Sequence, residues 1–489
     1  MKKITSCLAL FVVGCVLLIG CTDRDDIIDI PDNLKVQNFI WKGLNQYYFW
    51  QADVPDLQDN QFPLQSELNA FLLTKGSPEN LFQSLLNKPI SQFPRVAAID
   101  RYSVLVDDYT VLENLFQGVT TSTGMNFGLK FKTGSTTDLF GWVRYVLPNS
   151  SASTQNVNRG MIFSGINGTP LTVSNYVALL GLDSFTINLA DFNNGNITPN
   201  GNSISLTKAV VNENPVFLTQ TFNLGARKVG YLVYNGFTTN YETQLNAAFA
   251  QLQAAGVTHL VLDFRYNPGG SVKTAARLAS MITGQFAGQI FTSIQWNSKI
   301  QTFFQANNPD QLLEKFPTTL GNGAGITSLN LNKLYVITSA RTASASELII
   351  NGLKPYINIV QIGETTAGKN VGSITLYDSP NFSTTNRNPA HKYAMQPLVI
   401  KLANKAGFGD YQDGLAPTNV LSENFANLGQ LGNASEPLLA AALSIINNGG
   451  RLAQPRALIF QDFQDSKTIE GRFESEMYLD EMPSFKIIP

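Results

Sequence analysis

The sequence predicts a chain of mixed class: a helical N-terminal segment, a small β domain, and an α/β core on a mostly parallel sheet. Three observations predict it. Apolar residues near the N-terminus fall at helical spacing, short alternating strands between Gly, Asn and Ser clusters fill about 115 to 211, and beyond 212 strands alternate with helices. The 489 residues leave room for about two to four domains.

The helical segment, 22–110 with its tether, carries Leu34, Phe39, Ile40, Trp41, Leu44, Tyr47, Tyr48 and Trp50 on one broad face. Such a face reads as core rather than as a ligand box. Ser77-Pro78-Glu79 has the form of an N-cap, a first-turn proline and a first-turn acid, opening a helix through Leu86. The β domain, 111–211, is expected from strands at Phe127–Phe131, Leu139–Val146 and Ser203–Val210. The core, 212–425, is expected from strands at Lys228–Val233, His259–Phe264, Leu334–Thr338 and Ile357–Ile362, with helices over Tyr241–Ala254 and Ser346–Leu353. In the last part, 426–489, Ser435-Glu436-Pro437 caps a helix through Ile446, and the tail from Arg451 is polar and acidic without a strong pattern.

Composition excludes several classes of function. Hydrophobic residues are 44% and charged ones only 14%, and 34 Lys plus Arg against 36 Asp plus Glu give a net charge of −2. No basic surface is implied, so nucleic acid is not an expected partner. There are two histidines, His259 and His391, and three cysteines, Cys7, Cys15 and Cys21. Zinc sites want three or four such ligands at close spacing, so no metal and no other cofactor is expected. His259 reads as a strand-edge residue and His391 as a loop residue.

The first 21 residues read as an address. Lys2 and Lys3 precede an apolar run, Leu8 to Ile19, too short to span a bilayer and flanked as a signal peptide is. The run ends in Leu18-Ile19-Gly20-Cys21, which resembles the lipobox of bacterial lipoproteins. That resemblance implies lipidation at Cys21, loss of Cys7 and Cys15, and attachment to the outer membrane of a cell envelope, on its periplasmic or its outer face.

Two signals in the β domain resemble a PDZ domain. Asn126-Phe127-Gly128-Leu129 is similar to its carboxylate-binding loop, and Arg159-Gly160-Met161-Ile162-Phe163-Ser164-Gly165-Ile166-Asn167-Gly168 is similar to its Arg/Lys-Gly-Asp-x-Ile run, with Met161 in place of the acid. The resemblance implies that Phe127, Gly128 and Leu129 take a polypeptide's free C-terminus while the peptide adds a strand to a sheet edge. A small domain that only packs is the alternative.

Three segments follow predicted core strands, whose carboxyl ends converge on one crevice in a parallel sheet. Asp263-Phe264-Arg265-Tyr266-Asn267-Pro268-Gly269-Gly270 ends in a Gly-Gly pair that presents backbone N–H groups, as an oxyanion site requires, or that forms only a tight turn. Thr342-Ala343-Ser344-Ala345-Ser346-Glu347 puts Ser344 at a helix start beside the Ala345 N–H, where it is a nucleophile or an ordinary N-cap. Gly363-Glu364-Thr365-Thr366-Ala367-Gly368-Lys369-Asn370 almost spells a phosphate loop, but Asn370 lacks the hydroxyl that would hold magnesium, so no nucleotide is expected. Lys369 instead suits a general base, provided that burial makes it neutral.

Together these segments resemble the C-terminal processing peptidases, the tail-specific proteases with a Ser-Lys dyad. Asp100-Arg101-Tyr102-Ser103, Val229-Gly230-Tyr231 and Gly414-Leu415-Ala416-Pro417-Thr418 extend the resemblance over about 95 to 425. It implies a ClpP/crotonase-like core, Ser344 as nucleophile, Lys369 as base, and Gly269 or Gly270 with Ala345 as oxyanion donors. The glutamine with which many members orient the lysine is here Ser373, leaving Ser373, Thr366 and Glu347 as candidates for that task. The implied activity is a lipid-anchored serine endopeptidase cutting envelope or extracellular polypeptides near their C-termini. A noncatalytic peptide- or ligand-binding lipoprotein of the same fold is the alternative.

Overall fold

The computed structural model describes residues 30–193, 195–424, 427–449, 460–469 and 476–482; the leader and Cys21 lie outside them. The core sheet runs Val216–Leu224, Arg227–Tyr234, His259–Asp263, Lys333–Thr338, Asn358–Gly363, Asn419–Val420. Its first pair is antiparallel and the others are parallel. Successive side chains on a strand point to opposite faces. Leu232, Leu260, Leu262, Leu334 and Val336 therefore face the helices Glu242–Ala254, Val272–Thr283 and Ala345–Leu353. Val229, Tyr231, Val233, Val261, Tyr335 and Ile337 face the helix Pro437–Asn448 on the other side. This covering of both faces is why the strands read as continuous apolar runs.

That last helix is capped by the Glu436 side chain, which accepts the Leu439 N–H at 2.8 Å. It packs on the core sheet. A second, mixed sheet that periodicity did not announce runs Gly269–Ser271, Glu476–Tyr478, Val371–Ser373, Leu398–Asn404, Ile290–Trp296, Leu313–Lys315.

The N-terminal helices Lys35–Tyr47, Gln65–Thr74 and Pro78–Ser84 bury Phe39, Ile40, Leu44, Tyr47 and Tyr48 in the main core. The aromatic face is thus packing. The helical stretch ends earlier than expected, at Ser84, and gives way to loops and a short strand, Val104–Val106. The small β domain pairs Met125–Phe131, Leu139–Val146, Ile162–Ile166, Ser184–Asn193 and Asn196–Thr207 in succession around Phe127, Leu129, Val143, Phe163 and Ile187.

Candidate active site

The three segments singled out in the sequence all leave the same end of the core sheet, after Asp263, Thr338 and Gly363. Parallel strands force this convergence. His259 starts its strand at the opposite end, and His391 sits in a loop with Nε2 2.9 Å from Asp378 Oδ2.

Ser344 is fully buried and adopts φ 64° and ψ −116°, a left-handed conformation that a non-glycine residue holds only when its surroundings impose it. The imposing contacts are visible. Ala343 N–H donates to Asn267 O at 3.2 Å, Ala367 N–H to Thr342 O at 2.9 Å, and Ser344 N–H to Glu347 Oε2 at 2.6 Å. The turn opens the helix Ala345–Leu353, and the Ala345 N–H is the first of the donors that a helix leaves without an intrahelical acceptor.

Lys369 lies between the strands Asn358–Gly363 and Val371–Ser373, in a loop and not at a helix start, which separates this segment from a phosphate loop. Asn370 is spent on Gly409 O, 2.6 Å away. Lys369 is 3% exposed, and its Nζ lies 4.7 Å from the centre of the Tyr102 ring. Asp100 sets that ring: its Oδ1 accepts the Tyr102 and Ser103 N–H groups at 3.1 and 2.9 Å, and its Oδ2 accepts the Tyr48 hydroxyl at 2.8 Å. Arg101 Nη2 donates to Gly368 O and Gln412 O at 3.0 and 2.8 Å, clamping the loop from outside. Gly368 admits no side chain, since its φ is 86° and a Cβ would stand 2.2 Å from Gln412 O. The sequence showed the Asp100–Ser103 match but not that it would meet Lys369, because no local pattern carries that contact.

Glu347 joins the two segments. Its Oε1 accepts from Thr366 Oγ1 at 2.5 Å and Gly368 N–H at 2.7 Å, and its Oε2 accepts from Ser344 N–H and from Lys369 N–H at 2.9 Å. Burial pushes its carboxyl up from the ordinary value, and the four donors pull it back. Of the three candidates for orienting the lysine, Glu347 holds its main chain, and Thr366 donates its hydroxyl to Glu347. Ser373 does not belong to this cluster: its hydroxyl donates to Gln396 Oε1 at 2.8 Å and to Met477 O at 3.2 Å.

Gly269 and Gly270 differ. The Gly269 N–H is bonded to Asn267 Oδ1 at 2.9 Å. Phe237 donates to Gly269 O and accepts from Ser271 N–H, so the Gly270 N–H points to the opposite edge. Gly270 must be glycine, having φ 136° and a Cβ position 2.4 Å from Phe237 O.

Phe127, Gly128 and Leu129 lie away from this cluster, inside the strand Met125–Phe131 and not in a loop before it. Phe127 and Leu129 point into the domain core, and the free edge of their strand is taken by residues of the same chain, Asp462–Asp465. The small domain is tied to the core through Glu423, which accepts from Arg159 Nη2 at 2.6 Å and Arg265 Nη1 at 3.1 Å. The two guanidinium groups hold the Glu423 carboxyl down at about 2 against the cost of burial.

The α/β core thus brings a strained serine at a helix start and a buried lysine in the loop after the neighbouring strand to one end of its sheet. Residues 228–385 match peptidase family S41, and residues 35–104 match the peptidase S41 N-terminal domain. The carboxyl-terminal-processing protease of a Picosynechococcus strain is 23% identical over 252 residues, 52% of this chain and 53% of that protein. The protein so described from a Synechocystis strain is 21% identical over 315 residues, 64% of this chain and 65% of that one. The chain thus spans about half to two thirds of the length of these curated relatives. A crystal structure of a Bacteroides fragilis protein assigned to the S41 proteases has the same fold, with a TM-score of 0.65 over 84% of this chain and 97% of that one at 24% identity.

Proposed function

We propose that this chain is a serine endopeptidase that cuts polypeptides near their C-termini, with Ser344 as nucleophile and Lys369 as base. The observation that carries the reading is the Glu347 carboxylate, which ties the main chains of both residues to one anchor. A neutral Lys369 amine takes the Ser344 hydroxyl proton as Oγ attacks the scissile carbonyl carbon. The oxyanion is met by the N–H groups of Ala345 and Gly270; the Gly269 N–H is held inside its own turn by Asn267, while the Gly270 N–H faces the edge that the strand Glu476–Tyr478 covers. The ammonium then protonates the leaving amine, and a water deprotonated by the same amine releases the acyl group. The leader motif supports export and lipid anchoring at Cys21 in the cell envelope, and the family supports polypeptide substrates with free C-termini.

The test is cleavage of casein by the purified chain beside Ser344→Ala and Lys369→Arg, with and without EDTA. Arginine stays protonated above pH 12, so both variants are expected to be inactive, and EDTA to change nothing. Equal residual cleavage by the chain and by Ser344→Ala would refute the reading in favour of a binding protein that keeps the fold.

A further inference from the structure

Two stretches of the chain after the helix Pro437–Asn448, residues 460–469 and 476–482, each take up a sheet edge. Residues Asp462–Asp465 add an antiparallel strand to the edge of Met125–Phe131, and the Ser466 hydroxyl accepts the Phe127 N–H at 3.1 Å. Arg144 pairs with Asp465, and the Lys467 ammonium donates to Asn235 O at 3.2 Å, in a small cavity that Pro268 and Gly269 also line. The segment thus leads from the sheet edge of the small domain toward the candidate oxyanion turn.

At that turn Glu476–Tyr478 forms a strand between Gly269–Ser271 and Val371–Ser373. One neighbour carries the candidate oxyanion glycine; the other begins two residues after Lys369. Met477 stands in register with Gly270, on the edge to which the Gly270 N–H points, and its carbonyl accepts from Ser373 Oγ. Beyond it the side chains are held individually. Tyr478 packs against Phe116 with ring centroids 4.4 Å apart and planes tilted by 45°, Asp480 accepts from Ser271 Oγ at 2.5 Å and Thr239 Oγ1 at 2.6 Å, and Leu479 N–H donates to Ser373 O at 3.1 Å. A cavity of about 970 Å³ continues along this stretch, lined by Lys273, Trp296 and Glu314 among others.

A polypeptide lying as a strand between the candidate oxyanion turn and the strand that follows the candidate base holds the position of a peptidase's substrate. We propose, resting on the peptidase reading above, that residues 476–482 are a resident peptide ligand of the substrate channel, which incoming polypeptide must displace. Asp480 is its polar anchor, in a subsite made by the hydroxyls of Ser271 and Thr239, and Tyr478 is its aromatic anchor against Phe116. The same subsites then favour substrates that present an acidic residue two positions after an aromatic one. Backbone pairing supplies affinity for any extended chain, and these side-chain contacts supply the preference.

The test keeps the full chain and replaces both anchors, Tyr478→Ala with Asp480→Ala. Two hydrogen bonds to a carboxylate and one aromatic contact are lost, so amide exchange over 476–482 is expected to quicken and casein KM to fall, each about tenfold. A synthetic peptide of residues 476–482 added to this variant should restore the original KM competitively, and the same peptide with alanine at the Asp480 position should not. A second arm needs no turnover: the labelled peptide is titrated into the double variant also carrying Ser344→Ala, followed by fluorescence anisotropy. Saturable binding with no casein cleavage by any form would sink the peptidase reading and leave this one standing. Absence of peptide binding, or a released segment with casein KM unchanged, would overturn it and make 476–482 an ordinary structural strand.

Discussion

Ser344 and Lys369, a full βα unit apart in sequence, donate their backbone N–H groups to the same oxygen, Glu347 Oε2, at 2.6 and 2.9 Å. The carboxylate touches neither reacting side-chain group in these bonds, so Glu347 is a positioning residue. It fixes where the two main chains stand, and through them where nucleophile and base can reach.

Replacing Glu347 by Gln puts an amide N–H₂ among four donors and leaves buried N–H groups unmatched. Stability should fall by about 3–5 kcal/mol, as when one partner of a buried charged network is removed. At a temperature where the variant is folded, kcat should fall about 100-fold with KM within about threefold, because misplacement of reacting groups costs rate and not binding. Thr366→Val, which removes one donor of four, should cost about tenfold at most in kcat. A lowered melting temperature with an unchanged kcat would mean that Glu347 holds the fold and nothing more.

The Tyr102 ring faces the Lys369 amine at 4.7 Å, and an aromatic face attracts the ammonium in preference to the neutral amine. Tyr102→Leu keeps the site apolar and removes that attraction. The alkaline limb of the pH–rate profile should then move to lower pH by about half a unit, corresponding to about 0.5–1 kcal/mol. A limb that stays in place would show that the ring only fills space.

Glu423 sits with its carboxyl held down at about 2, against an ordinary value of 4.5, by Arg159 and Arg265. A depressed carboxylate contributes stability that is present above its unfolded value and lost as pH falls through its folded one. Acid unfolding should therefore draw on this group between about pH 4.5 and pH 2, by roughly 3 kcal/mol in all. Glu423→Gln should flatten melting temperature over that window and lower it at pH 7; an unaltered acid profile would refute the coupling.

Glu314 shows the opposite sign. Burial pushes its carboxyl up to about 7, so the folded state binds a proton that the unfolded state gives up near 4.5. Stability should decline as pH rises from about 4.5 through 7. Glu314→Gln, which cannot ionise, should abolish that decline, and a melting-temperature profile parallel to the unsubstituted chain would contradict it.

The core strands were legible because both faces are covered: Val229–Val233 and Leu260–Leu262 are apolar throughout, and the serine, lysine and glycine turns follow strand ends where a parallel sheet collects them. The second sheet was not legible. Gly269–Ser271 and Val371–Ser373 are three-residue strands of small residues, too short for any periodicity. The expected link between Ser373 and Lys369 came from spacing along the chain, but the strand's pleat turns Ser373 toward Gln396 and Met477.

The sequence alone determined the class of the fold, the order of its parts and the three segments that form the cluster, since hydrophobic period and turn chemistry are local properties. Tertiary structure alone decided which donor each acceptor meets: that Gly269 gives its N–H to Asn267, that Glu347 gathers four donors from two segments, and that Tyr102 comes up under Lys369. It also decided the place of residues 462–465 and 476–478, which have no local pattern of their own. A strand without side-chain periodicity takes its position from the backbone edges left open by the rest of the fold, and those exist only once the sheets have assembled.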